Sequence, residues 1–265
     1  MQVPPQSNNI RQQLFDTLPE DFYMFQREFY FYNSVLDLFK GVIEDEGEDV
    51  DILDFASNPL TLPGQLTFNR GFEEPLVLEN LSFDGYKMWE DEFNGLDLAH
   101  AIVSLETFGK MHALGMVLFD KKVVKDDNLC QLLEFDYFKM FTDQMLGMVD
   151  NGMKAVVEWM AENDVEEESI TKMECLLNDR NYVKMMTESF EKGKSEEMQV
   201  ILHGDARSNN ILYKYGSDGR TPVGVKLVDF QGSFSFCPFF DLVYFFMLSV
   251  SADVLIPNYQ TLVSR

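Results

Sequence analysis

The sequence predicts an α+β protein built as two lobes. Three observations carry this: an early apolar helix followed by short extended pieces, a long helical middle, and a hairpin that enters late, just before a last apolar helix. At 265 residues the chain has room for one large core or two modest ones.

Residues 20–39 place Phe22, Phe25, Phe29, Tyr32, Leu36 and Phe39 three or four positions apart, which lines one face of a helix. After an acidic loop come three extended pieces, 50–56, 65–69 and 75–81, punctuated by Pro and Gly and expected to pair as a small antiparallel sheet. The helical period then returns: Leu98, Ile102, Leu105, Phe108 and His112 step along one face, with Asp97 placed to cap the first turn. On this pattern His112 is a packed helix residue and His100 belongs to the helix surface.

Residues 134–160 and 169–191 read as two further amphipathic helices, their Met-rich stripes serving as adaptable core. The segments 198–202, 210–215 and 223–230 are extended, and Gly216-Ser217-Asp218-Gly219-Arg220 supplies a hairpin turn between the last two. A helix from about Asp241 closes the pattern.

Composition excludes several partners. The 45 acidic against 21 basic side chains give a formal charge of −24, which repels nucleic acid and anionic membrane surfaces alike. The apolar stretch 234–250 is broken by Pro238 and Asp241 and is too short to span a bilayer. Cys130, Cys175 and Cys237 lack the spacing of a zinc site or a disulfide framework, so a reducing, cytoplasmic setting is expected. The first residues carry no apolar run of the kind a secretory signal needs. Oligomeric state has no sequence signal here.

The chemistry concentrates in residues 202–213, LHGDARSNNILY, a polar cluster between apolar flanks. Phosphoryl transfer from a nucleotide needs a carboxylate near the acceptor hydroxyl and hard oxygen ligands that hold Mg²⁺ against the phosphates. Asp205 and Asn210 can face one cavity from such a loop, and a strand, turn and strand would return Asp229 beside them. The order and spacing match the catalytic loop and metal-binding Asp of the protein-kinase-like fold. A metal-dependent hydrolase would want more ligands than three histidines and these carboxylates offer.

His203-Gly204-Asp205 lacks the Arg of protein kinases after its His, and Asp229-Phe230-Gln231 lacks their Gly, which resembles the aminoglycoside and choline kinase branch. Taken with VKLVDFQGS, FDLVYFF, PLVLENLSFDGYKMW and FGKMHALGM, the sequence from about residue 10 to 250 resembles the ecdysteroid kinase-like family. The resemblance implies a protein-kinase-like fold with a partial small lobe (1–79) and a mainly helical lobe (80–265). It implies ATP and Mg²⁺ as cofactors and a small-molecule alcohol, such as an ecdysteroid, as acceptor. In that scheme Asp205 is the catalytic base or orients the acceptor hydroxyl, while Asn210 and Asp229 ligate the metal. Main-chain groups of Glu79 and Leu81 would meet adenine. His203 would brace the loop, Asp241 would anchor its backbone, and Asn209 stays open between a loop contact and a substrate contact.

Glu28 matches the helix glutamate that pairs with a strand lysine in this fold, yet no lysine precedes Lys40. The resemblance therefore implies a chain that begins after that strand, lacks the Gly-rich turn over the phosphates and is shortened at its C-terminus. Weak ATP binding follows from that expectation. The alternative is a truncated, inactive kinase-like binding or regulatory module.

Overall fold

Of the helix expected at 20–39, residues 20–23 lie outside the described residues; the rest forms helix α1 (Met24–Tyr30), passes through a π-helical turn (Phe31–Val35) and continues as α2 (Leu36–Glu46). Phe31, Tyr32, Val35, Phe39, Val42 and Ile43 are buried along it. Gly47, at φ +72°, ends α2 in the left-handed conformation that glycine adopts without a side-chain penalty. These residues belong to a computed structural model that describes residues 24–48, 50–60, 76–90, 94–123, 133–134, 143–194 and 198–264. Helices and small antiparallel sheets make the protein α+β, as its sequence predicts.

The small antiparallel sheet expected over 50–56, 65–69 and 75–81 is not formed among the described residues. Val50–Leu53 is a 3₁₀ turn, Ala56 makes one parallel bridge to Leu227, and Pro59 makes one antiparallel bridge to Leu78. The piece 65–69 lies outside the described residues. Local chemistry explains the difference. Pro59 withholds a ladder donor, and Asn80 accepts the Ser82 N–H at 3.1 Å, which starts a 3₁₀ turn (Leu81–Asp84) instead of a longer strand. Strand β1 (Lys87–Met88), which had no sequence signal, follows that turn.

Helix α3 (Leu98–Asp120) starts where expected, with Asp97 Oδ1 accepting the His100 N–H at 3.0 Å. His100 is buried rather than on the surface. Its Nδ1 lies 2.7 Å from Asp97 Oδ1 and its Nε2 3.1 Å from the Tyr215 hydroxyl, so both ring nitrogens are satisfied out of water. Among the described residues α3 alone is long and apolar enough to cross a membrane, and half of that stretch is buried inside the protein.

Two compact units divide the chain, and the described residues of one are 143–194. They form α4 (Asp143–Glu162), α5 (Glu167–Leu177) and α6 (Asn181–Lys194). Residues 135–142 of the helix expected at 134–160 lie outside the described residues. The single helix expected at 169–191 is broken at 178–180, where Asp179 and Arg180 take positive φ of 50° and 54°. Asp150 on α4 holds the break: it accepts the Tyr182 hydroxyl at 2.6 Å and pairs with Arg180 at 2.8 Å.

The other unit contains the rest of the described residues. Its late strands are β2 (Val200–Ile201), β3 (Ile211–Tyr215), β4 (Pro222–Leu227) and β5 (Ser235–Phe236). One antiparallel sheet runs β1-β3-β4 and a second pairs β2 with β5. In the predicted turn, Asp218 accepts from the N–H groups of Arg220 and Thr221 and from the Thr221 hydroxyl. Helices α7 (Phe239–Ser249) and α8 (Ala252–Val263) finish the unit.

Helix α3 packs against β2, and Gly115 permits the approach: a Cβ there would lie 2.4 Å from the Ile201 nitrogen. Because that contact is with backbone, Gly115→Ala must displace β2, at a cost of about 1–3 kcal/mol. Urea denaturation is expected to show a lower midpoint with unchanged cooperativity. An unshifted midpoint contradicts this packing.

Candidate active site

The loop that leaves β2 is anchored on one carboxylate. Asp241, in the first turn of α7 and fully buried, accepts the His203 N–H at 2.8 Å, the Gly204 N–H at 2.9 Å and His112 Nε2–H at 2.9 Å. A buried carboxylate without such donors would be strongly unfavourable, so these three bonds fix the loop to α7 and α3. Gly204 has φ +79°, and a Cβ on it would sit 1.9 Å from the Gly232 oxygen. The loop and the turn after β4 therefore meet backbone to backbone.

His203 is fully buried and spans the two segments. Its Nδ1 accepts the Asp205 N–H at 3.3 Å and its Nε2–H donates to the Val228 oxygen at 3.0 Å, which defines a neutral imidazole. Burial lowers its pKa in keeping with that state. The ring braces the loop, as its place in the sequence suggested.

Asp205 and Asn210 are brought together directly. Asn210 Nδ2 donates to the Asp205 main-chain oxygen at 3.0 Å and to its Oδ2 at 2.8 Å. The amide oxygen is thereby turned away and has no protein donor among the described residues. Asp229 comes back along the hairpin: Ile211 is in register with Leu227, and the Val228 N–H reaches the Asn210 oxygen at 3.0 Å. At Asp229 the chain takes φ +66°, ψ +63°, which turns it out of the strand into the short 3₁₀ turn Phe230–Gly232. Burial pushes the Asp229 carboxyl up, and the nearby charge of Asp205 pushes in the same direction.

Helix α1 and the π-helical turn that follows it supply another wall. Phe31 stacks on Phe230 at 3.6 Å between ring centroids and Tyr32 meets its edge at 5.5 Å. Arg27 Nη1 donates to the Ser233 oxygen at 3.0 Å, and burial lowers its pKa to about 10, so it stays charged. Glu28 accepts the Phe230 N–H and lies within electrostatic reach of Asp229. Burial, reinforced by the Asp229 charge, raises its carboxyl to about 7.

Glu79 and Leu81 are placed by a local clasp. Glu79 Oε1 accepts the Asn58 N–H at 2.9 Å, and the Glu79 N–H donates to the Asn58 oxygen at 3.2 Å. The Leu81 oxygen receives the Tyr86 N–H at 3.1 Å. This leaves the Glu79 carbonyl and the Leu81 N–H without a protein partner among the described residues. The Tyr32 hydroxyl feels the charges of Glu28, Asp229 and Glu79 together, so this segment borders the same region as the carboxylates.

Sequence reasoning missed three residues. Tyr244 donates its hydroxyl to Asp205 Oδ1 at 3.0 Å, Arg207 Nε lies 3.4 Å from Asp205 Oδ2, and His112 ties α3 to Asp241. For Tyr244 a signal existed, since it stands three residues after Asp241 and so shares its helix face. Asn209 is exposed and accepts the Ser208 hydroxyl at 3.3 Å, which is a contact within the loop.

The donor set suits a hard cation. Among the described residues no three His, Cys, Asp or Glu side chains converge as a metal centre. The Asp229 carboxylate and the Asn210 amide oxygen would instead suit an ion such as Mg²⁺, which binds few protein ligands and takes its remaining oxygens from phosphate and water.

Two expected outcomes test this geometry. In Asp241→Asn the amide must aim hydrogens at one of the loop donors, at a cost of about 3–5 kcal/mol, read as a lower urea midpoint. A wild-type midpoint contradicts the anchor. The folded protein holds the Glu28 proton up to about pH 7, whereas the ordinary value is 4.5. Its contribution to stability therefore falls as pH rises between these two values. Metal-free wild type should lose several degrees of melting temperature over that interval relative to Glu28→Gln. Parallel pH profiles contradict the assignment.

No curated protein matches the chain. The family model described as the ecdysteroid kinase-like family matches residues 3–265, essentially the whole length. The chain belongs to the ecdysteroid kinase-like family.

Proposed function

We propose that this protein is an ATP- and Mg²⁺-dependent phosphotransferase acting on a hydroxyl of a small, largely apolar alcohol. The observation that carries the reading is the joining of Asp205, Asn210 and Asp229 at the open end of one hairpin. Membership of a kinase-like family supports the same class of chemistry.

In this reading the acceptor hydroxyl meets Asp205, which orients it and takes its proton. The acceptor oxygen bonds to the γ-phosphorus as the bond from that phosphorus to the bridging oxygen breaks, and ADP leaves. Asn210 Oδ1 and the Asp229 carboxylate would hold Mg²⁺, which offsets the charge of the phosphates. The Glu79 carbonyl and the Leu81 N–H would meet adenine. We place the lobe boundary at residues 79/80, with the nucleotide between the lobes. A cytoplasmic setting fits the supply of ATP.

The half-buried rings of Phe240 and Tyr244 lie parallel, 6.2 Å apart, with the Tyr244 hydroxyl on Asp205. An acceptor with a hydrocarbon body suits such a surface, and ecdysteroid-like alcohols are the first class to try. A second reading, a binding or regulatory module, is favoured by Glu28, which has no ion-pair partner among the described residues.

Transfer of labelled phosphate from ATP to a panel of steroids, plant phenolic glycosides and choline distinguishes the two. The expected result is transfer to an apolar alcohol, falling about 10²–10⁴-fold in Asp205→Asn while nucleotide affinity is kept. Full turnover in that variant overturns the phosphotransferase reading. Nucleotide binding without transfer to any acceptor supports the module.

A further inference from the structure

We infer that Tyr244 is a positioning residue for the proposed reaction: its hydroxyl fixes the Asp205 carboxylate so that Oδ1, and not Oδ2, meets the acceptor alcohol. The inference rests on the phosphotransferase reading of Asp205. Two hydrogen bonds and one ion pair, from different places, hold this carboxylate. Asn210 Nδ2 at 2.8 Å and Arg207 Nε at 3.4 Å both sit on Oδ2, the oxygen toward the Asn210 amide. The Tyr244 hydroxyl at 3.0 Å sits on Oδ1.

Oδ2 thus carries a hydrogen bond and an ion pair, while Oδ1 carries the Tyr244 bond alone and keeps a site for an incoming hydroxyl. Without Tyr244, rotation of the carboxylate about its Cβ–Cγ bond would be limited from the Oδ2 side alone. The tyrosine is itself well placed for the task. Asp241, one helical turn earlier on α7, anchors His203 and Gly204, so a single helix sets both the backbone before Asp205 and the orientation of its side chain. Phe240, four residues before Tyr244, stacks on its ring at 10° and is backed by Phe234 at 5.4 Å and Phe236 at 6.0 Å. That packing holds the phenol in place, and it is retained when only the hydroxyl is removed.

Tyr244→Phe, Asp205→Asn and the double variant test the role in two ways. In steady-state kinetics Tyr244→Phe is expected to lower kcat about 10-fold, leave the KM for ATP within about twofold, and add nothing in the Asp205→Asn background. In urea denaturation the destabilisation caused by Tyr244→Phe is expected to vanish in an Asp205→Ala background, where the hydroxyl has no side-chain partner left, and this reads the contact without turnover. A wild-type kcat for Tyr244→Phe, or additive effects in the denaturation cycle, overturns the inference. Full turnover in Asp205→Asn instead overturns the reading beneath it, so the two failures are distinguishable.

Discussion

The buried carboxylate of Asp241 is the constraint on which the site depends. It draws its three donors from two elements: the imidazole of His112 on α3, and the main-chain N–H groups of His203 and Gly204 in the loop after β2. Main-chain donors matter because they fix backbone direction, which a side-chain contact does not. Once His203 and Gly204 are held against α7, the next residue, Asp205, is carried to the same helix, where its Oδ1 meets the Tyr244 hydroxyl. The contact of Gly204 with Gly232 then sets the distance to the second segment, and His203 bridges to Val228 across the same seam.

The second constraint is the hairpin. Antiparallel register between β3 and β4 determines that Asn210 and Asp229 share one end. The aromatic group of Phe31, Tyr32, His203 and Phe230 closes that end from below. Residues with acceptor oxygens are thus held on rigid elements, while the chain between them is short. Burial raises the proton affinity of Glu28 and Asp229, the charge of Asp229 adds to the effect on Glu28 and the charge of Asp205 to that on Asp229, and a cation among them would relieve these effects. This local electrostatics matters more for function than the overall charge of −24, whose exposed runs are screened by solvent and salt.

The sequence made the helices legible where one apolar face recurs over several turns, as in α1, α2 and α3. It also placed the hairpin, because Gly and Asp in the turn separate two apolar runs. The loop that joins Asp205 to Asn210 was readable as a polar cluster between two apolar flanks. Short extended pieces were not readable. Segments 50–56 and 75–81 carry strand-like residues, yet Pro59 and the Asn80 cap divert them into bridges and turns, a competition decided by side-chain hydrogen bonds rather than by periodicity. His100 looked like surface because its partners, Asp97 and Tyr215, come together only in the fold. Tyr244 sits inside an apolar run, where only its spacing of three from Asp241 sets it apart from the core aromatics.

The central claim is that Asn210 and Asp229 grip one divalent ion carried by a nucleotide, with Asp205 beside it. A crystal structure of the protein with Mn²⁺ and a non-hydrolysable ATP analogue tests it most directly through the anomalous signal of the metal. The account predicts a Mn²⁺ peak about 2.1–2.3 Å from Asn210 Oδ1 and from an Asp229 oxygen, with phosphate oxygens completing the shell. A metal and triphosphate bound elsewhere, with these two side chains making no contact, would contradict it.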